Sequence, residues 1–127
     1  MKGSTVNAPK HLRFVALLVL LPHGWGMAWS LWYLFTGEFM QAIDIVWLVG
    51  LVAAVLGAVA LLLRRKEAAI MFAAVILAAV VSFAVPMFPG AGEMWLPVVV
   101  ANGGVLLVGG GLSLLYSRAM ARRGVLR

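Results

Sequence analysis

Two polar side chains lie deep inside long apolar runs of this sequence, and they are the residues best placed to do chemistry. His23 falls in the run LLPHGWGMAW, and Asn102 falls in VVVANGGVLL. An imidazole donates or accepts a hydrogen bond and exchanges a proton, and a carboxamide both donates and accepts. Such a pair either ties two helices together or forms a ligand site, and the sequence leaves both alternatives open.

The residues beside His23 weaken the helix that carries it. Pro22 has no backbone N–H and frees the carbonyl four residues earlier, which favours a kink. Gly24 and Gly26 make that kink easier and open space around the imidazole. We therefore predict a hinge at Pro22, Gly24 and Gly26, which breaks the first helix near the middle of its apolar run.

Most other kinds of site lack the residues they need. The absence of cysteine excludes disulfides, iron–sulfur clusters and covalently attached haem, and the chain has only two histidines. A zinc site needs three or four ligands, and no His, Asp and Glu cluster is present. No serine has the setting of a nucleophile beside a base. We expect a protein that is not an enzyme and holds no metal and no cofactor.

The elements that position His23 and Asn102 are long apolar segments. The chain is 65% hydrophobic and 11% charged, whereas a soluble domain is about half apolar and about a quarter charged. A helix of about 20 residues crosses the hydrocarbon layer of a bilayer. The sequence predicts an all-α fold, an integral membrane four-helix bundle. Its single transmembrane domain covers residues 1–127, with spans at about 12–35, 44–63, 68–88 and 95–116.

The basic residues predict the orientation of the bundle. All 10 Lys and Arg residues fall before the first span or at its very start, between the second and third, or after the fourth. Basic residues in short loops stay on the cytoplasmic side during insertion. We therefore expect both termini to be cytoplasmic in a bacterial inner membrane. We therefore interpret the net charge of +6 as attraction to the anionic headgroups of the lipid bilayer. We expect no nucleic acid as partner.

Small residues recur along the second and fourth spans. Glycine and alanine four positions apart share one helix face and let two backbones approach closely. This packing serves either the bundle itself or contact with a second copy or a larger membrane protein, so we expect a homo-oligomer or a complex. The predicted packing face consists of Gly50, Ala54, Ala58, Gly103, Gly104, Gly109, Gly110 and Gly111.

Two resemblances agree with the four-helix prediction. The hairpin LVGLVAAVLGAVALLLRRKEAAIMF and the tail LLYSRAMARRGVLR resemble a family of small four-span bacterial inner-membrane proteins, which carry labels such as membrane protein or sugar transporter. The pair His23-Gly24 is similar to a His-Gly pair in the first span of the DoxX family of four-helix membrane proteins. Both resemblances imply a four-helix membrane fold, and neither transfers a catalytic residue.

These observations lead to one functional hypothesis and two alternatives. The first is a small non-enzymatic inner-membrane protein that acts by packing against itself or a partner, with His23 and Asn102 holding the first and fourth helices together. The second is a small oligomeric transporter or channel in which His23 and Asn102 line the path. The third is a membrane redox accessory that uses His23 at a quinone.

Overall fold

The computed structural model describes residues 9–37, 42–84 and 96–126, and these residues form four α-helices. The helices are α1 (Lys10–Thr36), α2 (Ala42–Leu62), α3 (Glu67–Ala84) and α4 (Leu96–Arg122). The described ranges contain no strand, which confirms the all-α prediction. By length and composition, all four helices are able to cross a membrane.

The helix ends differ in places from the predicted spans. α1 begins at Lys10 rather than Leu12, and α4 continues past Tyr116 to Arg122. The extension of α4 follows from its sequence, because RAMAR contains neither glycine nor proline and the first residue to stop the helix is Gly124. The predicted third-span end at Phe88 and fourth-span start at Trp95 lie outside the described residues.

Three helices end in a left-handed residue that turns the chain. Gly37 after α1 has φ 77° and Gly124 after α4 has φ 75°. The third is Arg64 after α2, with φ 56°, a conformation that costs a non-glycine residue about 1 kcal/mol. The next residue, Arg65, donates its N–H to the Ala60 carbonyl at 2.8 Å. This bond satisfies a carbonyl that the end of α2 would otherwise leave unpaired.

The helices pack in chain order and leave one seam open. α1 packs on α2, α2 on α3 and α3 on α4, with a smaller contact between α2 and α4. Over the described residues, α1 and α4 do not pack side by side along their length. Their separation leaves a cleft between them, and α2 forms its floor.

The two ends of the bundle differ. We call the end formed by the start of α1, the α2–α3 turn and the end of α4 the basic end, and the opposite end the far end. At the basic end the His11 ring bonds the Tyr116 hydroxyl, which joins α1 to α4. The chain after α4 folds under the bundle, where Arg64 Nε donates to the Val125 carbonyl oxygen at 3.0 Å. Val125 and Leu126 are buried, so side chains fill this end.

The small residues of the predicted packing face divide into three groups. Gly50, Gly103 and Gly110 lie where helices meet, because a Cβ at each would lie within 3.2 Å of a neighbouring side-chain atom, and Ala54 and Ala58 are buried. Gly109 faces α1, where the nearest atom to such a Cβ is Cε1 of His23 at 4.0 Å. Gly104 and Gly111 have open space in front of them.

Large apolar side chains cover the outside of the bundle. Trp25, which lies among them, is 69% exposed and stacks edge to face on Trp29, with ring centroids 6.0 Å apart. A surface of this kind is unfavourable in water and suits contact with lipid tails. The structure therefore agrees with a membrane protein in both the length and the surface of its helices.

Candidate functional site

A cavity of about 310 Å³ lies in the far-end half of the cleft. α1, α2 and α4 all contribute to its wall, so the cavity depends on the separation of α1 from α4. Both polar residues selected from the sequence, His23 and Asn102, line it. The remaining lining residues are Pro22, Gly26, Ser30, Trp47, Leu51, Val105 and Leu106.

The polar groups of the cavity lie at two depths. Ser30, Trp47 and Asn102 are each five or six residues from the far end of their helix. A rise of 1.5 Å per residue puts them about 8–9 Å from that end. His23 is 13 residues from Thr36, or about 20 Å deep, level with Gly109 of α4. The cavity therefore has a polar mouth and an imidazole at its inner end.

The hydrogen bonds of His23 leave one ring nitrogen unused. Nδ1 lies 2.7 Å from the carbonyl oxygen of Val19, four residues earlier on the same helix. A carbonyl oxygen only accepts, so Nδ1 carries the hydrogen, and in the uncharged ring Nε2 carries the lone pair. Nε2 is buried and has no hydrogen-bond partner among the described residues.

The predicted hydrogen bond between His23 and Asn102 is not formed. His23 uses Nδ1 on its own helix, and Nε2 has no described partner. The physical reason is distance, because seven residues separate Asn102 from Gly109 on α4, which is about 10 Å along the helix axis. The structure therefore brings both residues to one cavity but does not join them.

Trp47 is the residue of the site that sequence reasoning missed. A tryptophan near the end of an apolar span is typical of a lipid-facing ring at the membrane surface. Instead the side chain lines the cavity, and its indole Nε1 is buried without a partner in the described part of the chain. The spacing Trp47-x-x-x-Leu51 places two cavity residues on one face of α2, but a long apolar run gives this face no distinguishing pattern.

The predicted break at Pro22 is absent, because α1 is one α-helix from Lys10 to Thr36. In an apolar layer, every further backbone group released from the helix would lack a partner, which favours continuing it on both sides of the proline. The two predicted hinge glycines differ in their surroundings. A Cβ at Gly26 would lie 3.2 Å from a side-chain carbon of Leu51, whereas Gly24 faces open space.

The polar side chains among the described lining residues are His23, Ser30, Trp47 and Asn102. Among the described lining residues, His23 is the one titratable side chain. Ser30 lines the same cavity but does not bond His23, so these two residues do not form a nucleophile with its base. Across the described ranges, no three His, Cys, Asp or Glu residues come together as metal ligands would.

Comparison with known proteins adds no relative to this picture. No family model matches the chain, and neither a curated protein nor a solved structure does. The resemblances to small four-span inner-membrane proteins and to the DoxX family therefore stay predictions.

Proposed function

We propose that this protein binds a small molecule inside the membrane and belongs to the transport class rather than to the structural proteins. The observation that carries the proposal is the cavity of about 310 Å³, with side chains from three helices and an imidazole at its inner end. Ligand sites in helical membrane proteins lie between helices, and ionisable residues at such depth mark them.

The orientation of the proposed site follows from the basic residues. We place the protein in a bacterial inner membrane with both termini cytoplasmic, because all described Lys and Arg residues lie at the basic end. The mouth of the cavity then faces the periplasmic half of the bilayer. The filled basic end, with Val125 and Leu126 buried, argues for a closed binding state rather than an open channel.

Two findings weaken the hypothesis that the protein acts only by packing. His23 makes no hydrogen bond to a neighbouring helix, so it does not tie α1 to α4. In addition, Gly50, Gly103 and Gly110 already face side chains of the same chain. Most of the predicted packing face is therefore used within the bundle.

A second candidate function rests on Gly104 and Gly111. Both lie on α4 with open space in front of them, seven residues apart and therefore on one face. Close approach of another helix at this face would give a homo-oligomer or a complex with a larger membrane protein. Such assembly is compatible with ligand binding, since four helices alone enclose little space.

Native mass spectrometry of protein extracted gently from its own membranes tests the proposal. We expect a small molecule to remain bound to the wild-type protein. Val105 and Val108 form a matched pair, because they are 64% and 62% exposed but only Val105 lines the cavity. Val105→Phe should lose the molecule by filling the mouth, and Val108→Phe should keep it.

Three results would count against this proposal. They are a wild-type protein with no retained molecule, equal retention in both variants, and a stoichiometric second polypeptide with no small molecule. The last result would favour the packing hypothesis instead, with the face of Gly104 and Gly111 as the contact. Flux of the retained molecule across liposomes then separates transport from binding alone.

A further inference from the structure

The chemistry of the cavity wall restricts what it can bind. Two buried nitrogens of the wall, His23 Nε2 and Trp47 Nε1, have no partner among the described residues. Native proteins rarely leave such atoms unpaired, so each calls for an explanation. A water molecule or a polar group of a ligand is the kind of partner that satisfies them.

The two nitrogens need different hydrogen-bond partners, one a donor and the other an acceptor. His23 Nε2 presents a lone pair, because Nδ1 holds the ring hydrogen for the Val19 carbonyl. Trp47 Nε1 carries a hydrogen and only donates. The inner end of the cavity therefore needs a donor, and the mouth needs an acceptor. Leu51, Val105 and Leu106 supply apolar wall to the same cavity.

This arrangement disfavours a charged occupant. With the ring of His23 uncharged, an anion would face the lone pair of Nε2, and a cation would face the N–H of Trp47. The described lining residues include no Asp, Glu, Lys or Arg to balance either charge. Placing an unpaired charge in such surroundings is costly, so the cavity suits an uncharged molecule.

The size of the cavity limits the occupant further. The cavity extends along α1 from His23 to Ser30, which is about 10 Å of helix. Its volume of about 310 Å³ corresponds to roughly ten units the size of a water molecule, at about 30 Å³ each. A narrow molecule, one ring or one short chain wide, has this shape.

We propose that the cavity binds a narrow, uncharged, lipid-soluble molecule through a hydroxyl group that donates to Nε2 of His23, while Trp47 Nε1 donates to an oxygen nearer the mouth. This inference rests on the proposed function and specifies its ligand. Both nitrogens are buried, so binding requires the imidazole and the indole to turn and present them to the cavity.

A pair of probes of matched shape tests the hydroxyl. Para-ethylphenol donates and accepts through its hydroxyl, and para-ethyltoluene has a methyl group in its place. We would titrate each into the full chain in lipid nanodiscs and subtract the signal of nanodiscs without protein. The phenol should bind about three- to tenfold more tightly than the toluene, the size expected for one hydrogen bond.

Nitrogen-15 NMR of labelled histidine shows directly whether the imidazole takes part. The chain has two histidines, so the His23→Phe variant assigns the resonances. The Nε2 resonance of His23 should shift with the phenol and stay in place with the toluene. His23→Phe, which keeps a ring of similar size, should bind both probes equally. Trp47→Phe should leave the preference for the phenol unchanged, because the one oxygen of this probe lies at His23.

The outcomes separate this inference from the proposed function. Equal, saturable binding of both probes that Val105→Phe abolishes would overturn the hydroxyl preference but keep a ligand-binding cavity. Phenol preference that persists in His23→Phe would overturn the role of the imidazole. Binding of neither probe above empty nanodiscs would overturn the inference, while mass spectrometry of the native protein judges the proposed function independently.

Discussion

The imidazole of His23 on α1 faces the bare backbone of Gly109 on α4, where a Cβ would lie 4.0 Å from the ring carbon Cε1. This distance is an ordinary van der Waals contact, so a methyl group at this position fits against the ring. The imidazole thus bridges the cleft at this level, although α1 and α4 do not pack side by side along their length.

Substitutions of Gly109 should therefore depend on size. Gly109→Ala should leave the melting temperature unchanged or raise it, because alanine favours the helix and meets no close atom. Gly109→Leu should destabilise the fold by about 1–3 kcal/mol, since its added carbons enter the space of the imidazole. Thermal unfolding in detergent measures both. Gly111→Leu, which enters open space, is the control and should be neutral.

The role of His23 in stability separates a ligand site from a structural tie. His23→Phe should change the free energy of unfolding by less than about 1 kcal/mol in ligand-free protein. The substitution removes a bond within one helix but also removes a buried nitrogen without a described partner, and these effects oppose each other. A loss of several kcal/mol in the same melting experiment would show that His23 does hold the helices together.

Gly57 of α2 illustrates a close contact outside the predicted packing face. A Cβ at this position would lie 2.8 Å from Cε1 of Phe72, a fully buried ring of α3. Gly57→Ala should therefore destabilise the protein by about 1–3 kcal/mol, because the ring must move in a packed core. Gly104→Ala, with nothing near, should be neutral.

A double-mutant cycle checks that Phe72 causes this cost. Phe72→Leu is destabilising by itself, but it makes room for the methyl group of Gly57→Ala. The double variant should therefore lose less stability than the sum of the two single variants. Simple additivity would show that the cost of Gly57→Ala arises elsewhere.

The number of helices was predictable from sequence, because the thickness of the bilayer sets the length of apolar segment that each spanning helix needs. Their approximate positions were predictable for the same reason, and α4 was extended only because its end depends on Gly124 rather than on hydropathy. His23 and Asn102 were recognised as site residues because a polar side chain stands out in an apolar run. Their arrangement was not predictable, since the register between α1 and α4 decides whether they meet.

Residues that look alike in sequence proved hardest to assign. Trp25 and Trp47 are both tryptophans in apolar helices, yet one is 69% exposed and the other lines the cavity. The hydrophobicity of a membrane helix is nearly uniform around its axis, so it does not mark the inward face. The same difficulty applies to Gly110 and Gly111, of which the first faces Val75 and the second faces open space.

The residues after α4 cover the basic end of the bundle. Leu126 is 2% exposed and packs into the core cluster that also contains Leu12 and Leu61. Leu126→Ala should lower the free energy of unfolding by about 2 kcal/mol, the lower range for a buried leucine, because an irregular segment relaxes more easily than a helix. Leu63→Ala is the matched control, since Leu63 is 67% exposed, and it should be neutral in the same thermal unfolding assay.

The cysteine-free sequence allows a second test of this closure. A single cysteine in place of Ala16, which is buried on α1 in the same cluster, should react slowly with a maleimide that does not cross membranes. Adding Leu126→Ala should speed the reaction from the side of the termini, because the tail then covers the core less completely. Equal rates with and without Leu126→Ala would show that the tail does not close the bundle, whatever its effect on stability.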